Sequence, residues 1–436
     1  MNSKNKHIPE IETRPQQEIR AFQDEKLKDV LAYAGRNSTY YSKVFNNFGV
    51  NINKVSGLAD LPSLPVTTKD ELQRYNDEFI CVPGEKIIDM NTTSGTMGDP
   101  VTFAMTDKDL DRLAYNEYLS LSCAGATEKD TFQLMTTIDR RFMAGLAYFL
   151  GARKLGAGII RVGNGMPELQ WDTIHRLNPT AFIVVPSFLL KLIEYAEANN
   201  IDYRKTGVSK AVCIGETLRK PDFSLTTLGE KILEKWDIEL YSTYASTEMS
   251  TAFTECKHAV GGHQHPELII VEFLDDDNQP VSEGEAGEVT VTTLGVEGMP
   301  LIRFKTGDIC HHYTAPCACG RTTTRIGPVI GRKKQMIKFK GTTLYPPALF
   351  DILNHIDEVE NYVVEVFTND LGTDEILIRV GSKLSGEAFS SKLKDHFRAK
   401  LRVAPSIVFD SVENIEKIRF PEENRKAVNF IDRRTP

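Results

Sequence analysis

Apolar positions along the chain follow two rhythms, which change over near Leu240. Before that point they recur at helical spacing, broken by short solid apolar runs. Gln16 to Ala34 carries Ile19, Phe22, Val30 and Leu31 on one stripe, which predicts an amphipathic helix stopped by Gly35. Two prolines break Leu61 to Pro65, and Thr67-Thr68-Lys69-Asp70-Glu71-Leu72 predicts a helix behind a threonine cap. Asp107 to Ala124 predicts another. Helical stretches at Trp171 to Leu177 and Phe188 to Ala198 then alternate with the apolar runs Phe182 to Val185 and Lys210 to Ile214, an α/β layout with buried strands.

Beyond Leu240, Leu268 to Leu274 and Glu288 to Thr293 predict strands around a loop rich in Asp, Glu and Gly, a β-rich module beside the α/β core. A second change comes at Gly331-Arg332-Lys333-Lys334-Gln335. Past it, strand Val363 to Phe367, turn Asn369 to Thr373, strand Ile376 to Val380, helix Ser385 to Ala399 and strand Ile407 to Asp410 predict a small α+β domain. The expected fold class is therefore α/β: a large N-terminal body, residues 1–333, of α/β subdomains plus the β-rich module, followed by a small α+β C-terminal domain over 334–436.

Composition narrows the function. The 436 residues hold 52 basic and 60 acidic side chains, net −8, which argues against nucleic acid as the main partner because phosphate backbones select basic faces. Small phosphorylated ligands need only a local site and stay open. No stretch approaches the ~18 apolar residues of a membrane span, and residues 1–15 have no apolar core of a secretory signal, so a cytoplasmic protein is expected. Seven cysteines, an odd number, point to reduced thiols and not to a disulfide framework.

Asn91-Thr92-Thr93-Ser94-Gly95-Thr96-Met97-Gly98-Asp99-Pro100 is the most informative decapeptide. Its glycines would let the backbone approach anionic oxygens, to which the hydroxyls could donate. The same composition also describes an ordinary surface loop, so alone it is ambiguous. It lacks the Gly-Lys-Ser/Thr of a Walker loop and the spacing of a dinucleotide fingerprint.

Three later segments follow in a telling order. Tyr244-Ala245-Ser246-Thr247-Glu248 resembles the Tyr-Gly-x-Thr/Ser-Glu motif of adenylate-forming enzymes, and Arg303-Phe304-Lys305-Thr306-Gly307-Asp308 resembles their Arg-x-x-Thr-Gly-Asp. Gly331-Arg332 through Lys340-Gly341 to Pro346 resembles their hinge segment. Leu64-Pro65-Val66-Thr67-Thr68-Lys69 and Asn37 to Phe45 are similar to the N-terminal region of one subgroup, the phenylacetate–coenzyme A ligases. Glu248 or Asp308 alone would read as a solvated loop carboxylate; their occurrence in order is what changes that reading.

The resemblance implies that a carboxylate attacks the α-phosphate of ATP, expelling pyrophosphate, and that coenzyme A then displaces AMP. Such chemistry needs positioning and charge neutralisation more than a protein nucleophile. Thr93, Ser94, Gly95 and Thr96 would hold the β- and γ-phosphates, Glu248 would ligate Mg²⁺, and Thr247 would contact the α-phosphate. Tyr244 would stack on adenine beside Ala245, Gly215 and Glu216, and Asp308 would accept from the ribose hydroxyls. Asn424 to Asp432 resembles the family's terminal lysine motif, which makes Lys426 the catalytic cation between carboxylate and α-phosphate. Arg332 and Lys334 fall in the hinge, about which a mobile C-terminal lid would turn, with Gly341 giving the pantetheine room. The chain departs from the pattern at Asp99, where lysine is common, at Ala245, and at Arg425 and Asn429 around Lys426.

Phe142, Gly145, Pro186 and Ser187 lie in segments that resemble the family's acyl-binding region, although core packing and a turn would explain them equally well. Asp139-Arg140-Arg141 is unusually charged for the mouth of an apolar pocket. The expected substrate is an aryl, phenylacetate-like acid, with ATP, Mg²⁺ and coenzyme A; a homodimer is compatible. Two rivals remain: an adenylyl transferase like the deazaflavin-adenylating synthetases, which needs no coenzyme A, and a nucleotide-binding protein that has lost catalysis.

Separately, Cys256-Lys257-His258 and Cys317-Ala318-Cys319-Gly320 form two short pairs, with His263 and His265 after the first. They could supply the soft tetrahedral set of a structural Zn²⁺ or be unconnected buried thiols. The histidine would be His258 or His263, with His258 preferred.

Overall fold

The computed structural model describes residues 7–93, 101–339, 342–369, 373–421 and 427–434. The chain divides into two compact units, one of residues 1–225 and 231–329, the other of residues 226–230 and 330–436.

The first unit begins with a 3-10 turn, Glu10–Thr13, followed by the helix Gln16–Asn37. It runs through Gly35, which packs against Phe45 and Ile52, to Asn37, so the expected stop there is wrong. The break comes at Ser38, whose hydroxyl accepts from the Tyr41 amide and caps the next helix, Thr39–Asn47. Thr68 and Glu71 form a capping box at the start of Lys69–Arg74, as the threonine cap predicted.

Two short antiparallel strands, β1 (Asp89–Thr92) and β2 (Thr102–Met105), flank the Ser/Thr/Gly segment. Then comes a six-stranded sheet of β3 (Thr131–Leu134), β4 (Gly158–Arg161), β5 (Ala181–Val184), β6 (Lys210–Cys213), β7 (Glu239–Ser246) and β8 (Thr251–Thr254). Their order is β4-β3-β5-β6-β7-β8, parallel throughout except for β8. All of β5 is buried, as its solid apolar run requires. From β3 the chain crosses by the helix Met143–Leu155 to β4 at the edge, then by Pro167–Leu177 back past β3 to β5. The connections leaving β3 and β5 therefore part in opposite directions, and in such sheets ligands bind beyond the strand C-termini at that parting.

The β-rich module contains β9 (Gly262–His263), β10 (Ile269–Leu274), β11 (Gly287–Thr293), β12 (Phe304–Cys310), β13 (His312–Tyr313) and β14 (Arg325–Ile326). β10, β11 and β12 pair antiparallel in sequence order, and β13, β14 and β9 make a smaller antiparallel sheet. Every residue of β11 is buried, polar threonines included. One apolar core joins this module to the N-terminal helices through Leu27, Leu31, Tyr41, Phe79, Ile269, Val289 and Phe304.

In the second unit, Asn361–Thr368 and Asp374–Gly381 pair antiparallel; Ser406–Asp410 adds in parallel to the latter and Phe430–Asp432 to the former. Helices Pro346–Asn354 and Glu387–Leu401 contribute Leu349, Leu353, Leu393 and Phe397 to its core. The sequence pattern missed the helix Val412–Arg419 and the short last strand.

Candidate active site

β1 and β2 fix the base of the phosphate segment. The Thr92 amide donates to the Arg141 carbonyl at 2.9 Å, and the Thr93 amide to the Val101 carbonyl at 3.0 Å. The Thr93 hydroxyl accepts from the Val101 amide at 3.2 Å and carries one proton of its own to donate. Ser94, Gly95, Thr96 and Asp99 lie outside the described residues. Arg140 and Arg141, exposed after β3, both take left-handed backbone at φ 58°, which costs a non-glycine residue energy.

Two motifs 64 residues apart meet where the Tyr244 hydroxyl donates to Asp308 Oδ2 at 2.9 Å. Tyr244 ends up there because β7 carries it and β12 carries Asp308. Burial, reinforced by the Asp308 charge, pushes the Tyr244 phenol well above its ordinary range, so it remains a donor. Gly307, at φ 81°, lies within β12 where its pairing with β11 shifts register, and the Thr306 hydroxyl accepts from the Asp308 amide at 3.1 Å. Arg303 of the same motif faces away from nucleotide chemistry: it is buried, bonds Glu272 through Nε at 3.0 Å and Nη2 at 2.9 Å, and bonds the Leu64 carbonyl.

Glu248 follows β7 in a turn, and Lys69 Nζ stands 3.4 Å from its Oε1. Thr247 is half-buried beside it, its carbonyl accepting from the Ser250 amide and hydroxyl, while Ala245 is exposed. Gly215, at φ 76°, turns the chain after β6 and delivers Glu216 to the start of the helix Pro186–Ala198. There Ser187 donates to Glu216 from its amide at 2.9 Å and from its hydroxyl at 2.8 Å. A carboxylate at a helix N-terminus is favoured by the unpaired amides and the helix dipole. One expected adenine-pocket residue and one expected acid-pocket residue thus share a contact.

Pro186 and Ser187 leave β5, and Phe142, half-buried, leaves β3, so they stand on the two sides of the parting in the sheet. Gly145 has a packing reason of its own. A Cβ there would fall 1.9 Å from the Thr137 carbonyl oxygen, so the helix Met143–Leu155 approaches that loop only because the residue is glycine.

In the second unit, Arg332 and Lys334 are exposed. The Lys334 carbonyl accepts from Arg434 Nη2 at 3.1 Å and the Met336 carbonyl from Nη1 at 2.8 Å, while Arg434 pairs with Asp432 and Asp374. Gly341, Arg425 and Lys426 lie outside the described residues. Lys69 and Arg434 were missed as contributors; Lys69 was visible within the Leu-Pro-Val-Thr-Thr-Lys run, but Arg434 has no sequence signal.

The thiol cluster assembles with one change. Cys256, His263, Cys317 and Cys319 bring their ligand atoms within 4.8 Å of one another. His258 is exposed and takes no part, which corrects the preference for it; the β9–β14 pairing turns His263 inward instead. His265 is engaged elsewhere, bonded through Nδ1 to Glu12.

Comparison with known proteins agrees with these motifs. Residues 48–297 match the AMP-binding enzyme family. The phenylacetate–coenzyme A ligase of Thermus thermophilus is 30% identical over 379 residues, covering 85% of this chain and 83% of the relative. That of Escherichia coli is 29% identical, covering 83% and 82%. A crystal structure of 2-hydroxyisobutyryl-CoA ligase in the postadenylation state superposes with a TM-score of 0.84 at 22% identity, covering 99% of this chain and 94% of that one, which shows the fold. The chain belongs to the AMP-binding enzyme family, the adenylate-forming ligases. Within it, it is an AMP-forming acid–thiol ligase resembling the phenylacetate–coenzyme A ligases. No helix among the described residues is long and apolar enough to cross a membrane.

Proposed function

We infer that the chain activates an aryl carboxylic acid of the phenylacetate kind to an acyl-adenylate and then passes the acyl group to coenzyme A. In the first step a carboxylate oxygen bonds to the α-phosphorus of ATP as the bond to pyrophosphate breaks. In the second, the thiol sulphur bonds to the acyl carbon, AMP leaves, and the thiol proton passes to solvent. The observation that carries this reading is the Tyr244–Asp308 hydrogen bond, which puts an aromatic ring beside a carboxylate and so supports an adenosine site there.

Asp308 accepts from the ribose hydroxyls, and Tyr244, Ala245, Gly215 and Glu216 frame the adenine. Thr93 and its neighbours Ser94, Gly95 and Thr96 donate to the β- and γ-phosphates. Thr247 serves the α-phosphate, where charge grows in the transition state. Glu248 is a hard oxygen donor with a cation already beside it, which fits Mg²⁺, an ion that neutralises phosphate charge when bound. Phe142, Gly145, Pro186 and Ser187 border the acid at the sheet's parting. Lys426 neutralises the reacting carboxylate and α-phosphate, and motion about Arg332 and Lys334 exchanges it for the coenzyme A face beside Gly341.

Arg140 and Arg141 favour a second reading of the acid. Among the described residues neither guanidinium has a hydrogen-bond or ion-pair partner, and both residues sit in a costly backbone conformation at the base of the phosphate segment. An acid with a second anionic group would meet them. Pyrophosphate exchange into ATP over a panel of aryl, fatty and dicarboxylic acids tests both readings, and coenzyme A-dependent AMP release separates the ligase from a deazaflavin-type adenylyl transferase.

A further inference from the structure

We propose that Cys256, His263, Cys317 and Cys319 bind one structural Zn²⁺, and that this centre fastens the N-terminal segment Glu10–Thr13 to the β-rich module.

The spacing of the side chains is that of metal ligands. Zinc bonds of about 2.3 Å to sulphur and about 2.0–2.1 Å to nitrogen, arranged as a tetrahedron, place two ligand sulphurs about 3.8 Å apart and a sulphur and a nitrogen about 3.6 Å apart. Cys256 Sγ and Cys317 Sγ are 3.7 Å apart, and Cys319 Sγ and His263 Nε2 are 3.5 Å apart. A disulfide would need about 2.05 Å between sulphurs. Three thiols and one imidazole are a soft set suited to zinc, and four protein ligands leave no open position for catalysis.

The backbone builds the set from three places. Cys256 ends the run after β8, His263 lies on β9, and Cys317 and Cys319 sit on a knuckle between β13 and β14. In that knuckle the Gly320 amide donates to the Cys317 carbonyl at 2.9 Å, with Gly320 at φ 99°, and the Cys317 amide donates to the Arg321 carbonyl at 2.9 Å. Cys123 packs against the cluster but is not among the converging ligands.

The second sphere gives the site its consequence. Three thiolates on Zn²⁺ leave one net negative charge, and buried Arg321 answers it, with Nη1 3.7 Å from Cys319 Sγ. The same guanidinium donates through Nε to Glu12 Oε2 at 2.6 Å, and the other Glu12 oxygen bonds His265. Glu12 is fully buried, and its carbonyl accepts from the Thr322 amide at 2.8 Å. A carboxylate with no exposure is tolerable only with such partners. Arg321 therefore links the proposed metal ligands to the N-terminal segment Glu10–Thr13.

The test uses the full chain purified without added metal. Elemental analysis should find one zinc per chain, and cobalt exchanged into the wild-type protein should show the intense visible bands of a tetrahedral site with sulphur ligands. His263→Ala should lose the metal, while His258→Ala keeps it. On stripping the wild type with a chelator, amide exchange at Glu12 and Thr322 should rise about tenfold or more, with little change in the second unit. Folded wild type with neither stoichiometric zinc nor tetrahedral cobalt bands overturns the site, independently of whether His263→Ala folds. Equal metal loss from both histidine variants overturns the ligand assignment, and unchanged exchange at Glu12 after stripping overturns the fastening. None of these readouts depends on the ligase reading.

Discussion

Lys69 Nζ stands 3.4 Å from Glu248 Oε1, so a side-chain cation lies beside the carboxylate proposed to ligate Mg²⁺ and would compete with the ion for it. Lys69 is nearly half exposed, and ion pairs in that setting contribute about 0–1 kcal/mol. Lys69→Met should therefore lower the apparent KM for Mg²⁺ by no more than about fivefold. Glu248→Gln should cost about a hundredfold or more in adenylation rate. Steady-state titration of Mg²⁺ at saturating ATP measures both, and a Lys69→Met enzyme needing more Mg²⁺ than wild type would refute the competition.

The Tyr244–Asp308 bond leads to a split between stability and binding. Tyr244→Phe removes one hydroxyl, and a lost hydrogen bond of this kind costs about 0.5–1.5 kcal/mol. Asp308→Ala also removes the ribose acceptor and should raise the KM for ATP about tenfold or more, with the KM for the acid unchanged. A common rise in both constants would mean that Asp308 acts only through the fold.

Gly145→Ala should destabilise the protein by about 1–3 kcal/mol, because the new methyl would collide with the Thr137 carbonyl, which is backbone and cannot step aside cheaply. Denaturant unfolding reads the loss. Wild-type stability in the variant would show that the helix Met143–Leu155 has room to shift.

Stability should also fall as the pH rises from about 4.5 to about 8, and Glu117 accounts for a share. It is buried under the helix Met143–Leu155 with one oxygen lacking a partner, and burial pushes its pKa up to about 8, Ser120 offsetting part. Unfolded, it ionises near 4.5. Between these values the folded protein keeps a proton that the unfolded chain has lost, so stability declines with rising pH across that window and levels off above it. Glu117→Gln should match wild type near pH 5 and exceed it by about 1 kcal/mol or more at pH 8. Parallel thermal unfolding curves at both pH values for the two proteins would contradict the assignment.

Much of this was legible in the chain, for identifiable reasons. The strands β5 and β6 announce themselves as solid apolar runs because both faces are covered, and Thr68 caps its helix through purely local bonds. The order of the motifs that hold Tyr244, Glu248 and Asp308 was legible in the sequence, and the structure brings Tyr244 and Asp308 into contact. What stayed hidden depends on tertiary contact. Gly35 reads as a stop, yet the helix runs through it to Asn37 and packs there against Phe45 and Ile52, side chains from later in the chain. His258 lies nearer Cys256 in sequence, but the β9–β14 register turns His263 toward the sulphurs. The Arg321–Glu12–His265 network spans more than three hundred residues of sequence and leaves no local trace.

The central claim is adenylation of an acid followed by transfer to coenzyme A, and one assay addresses both halves. With phenylacetate, ATP and Mg²⁺, the enzyme should exchange labelled pyrophosphate into ATP, and adding coenzyme A should release AMP in step with thioester, while Lys426→Ala should lose the exchange by about a hundredfold or more. Exchange that ran as fast in Lys426→Ala as in wild type, or that needed no acid, would contradict the account.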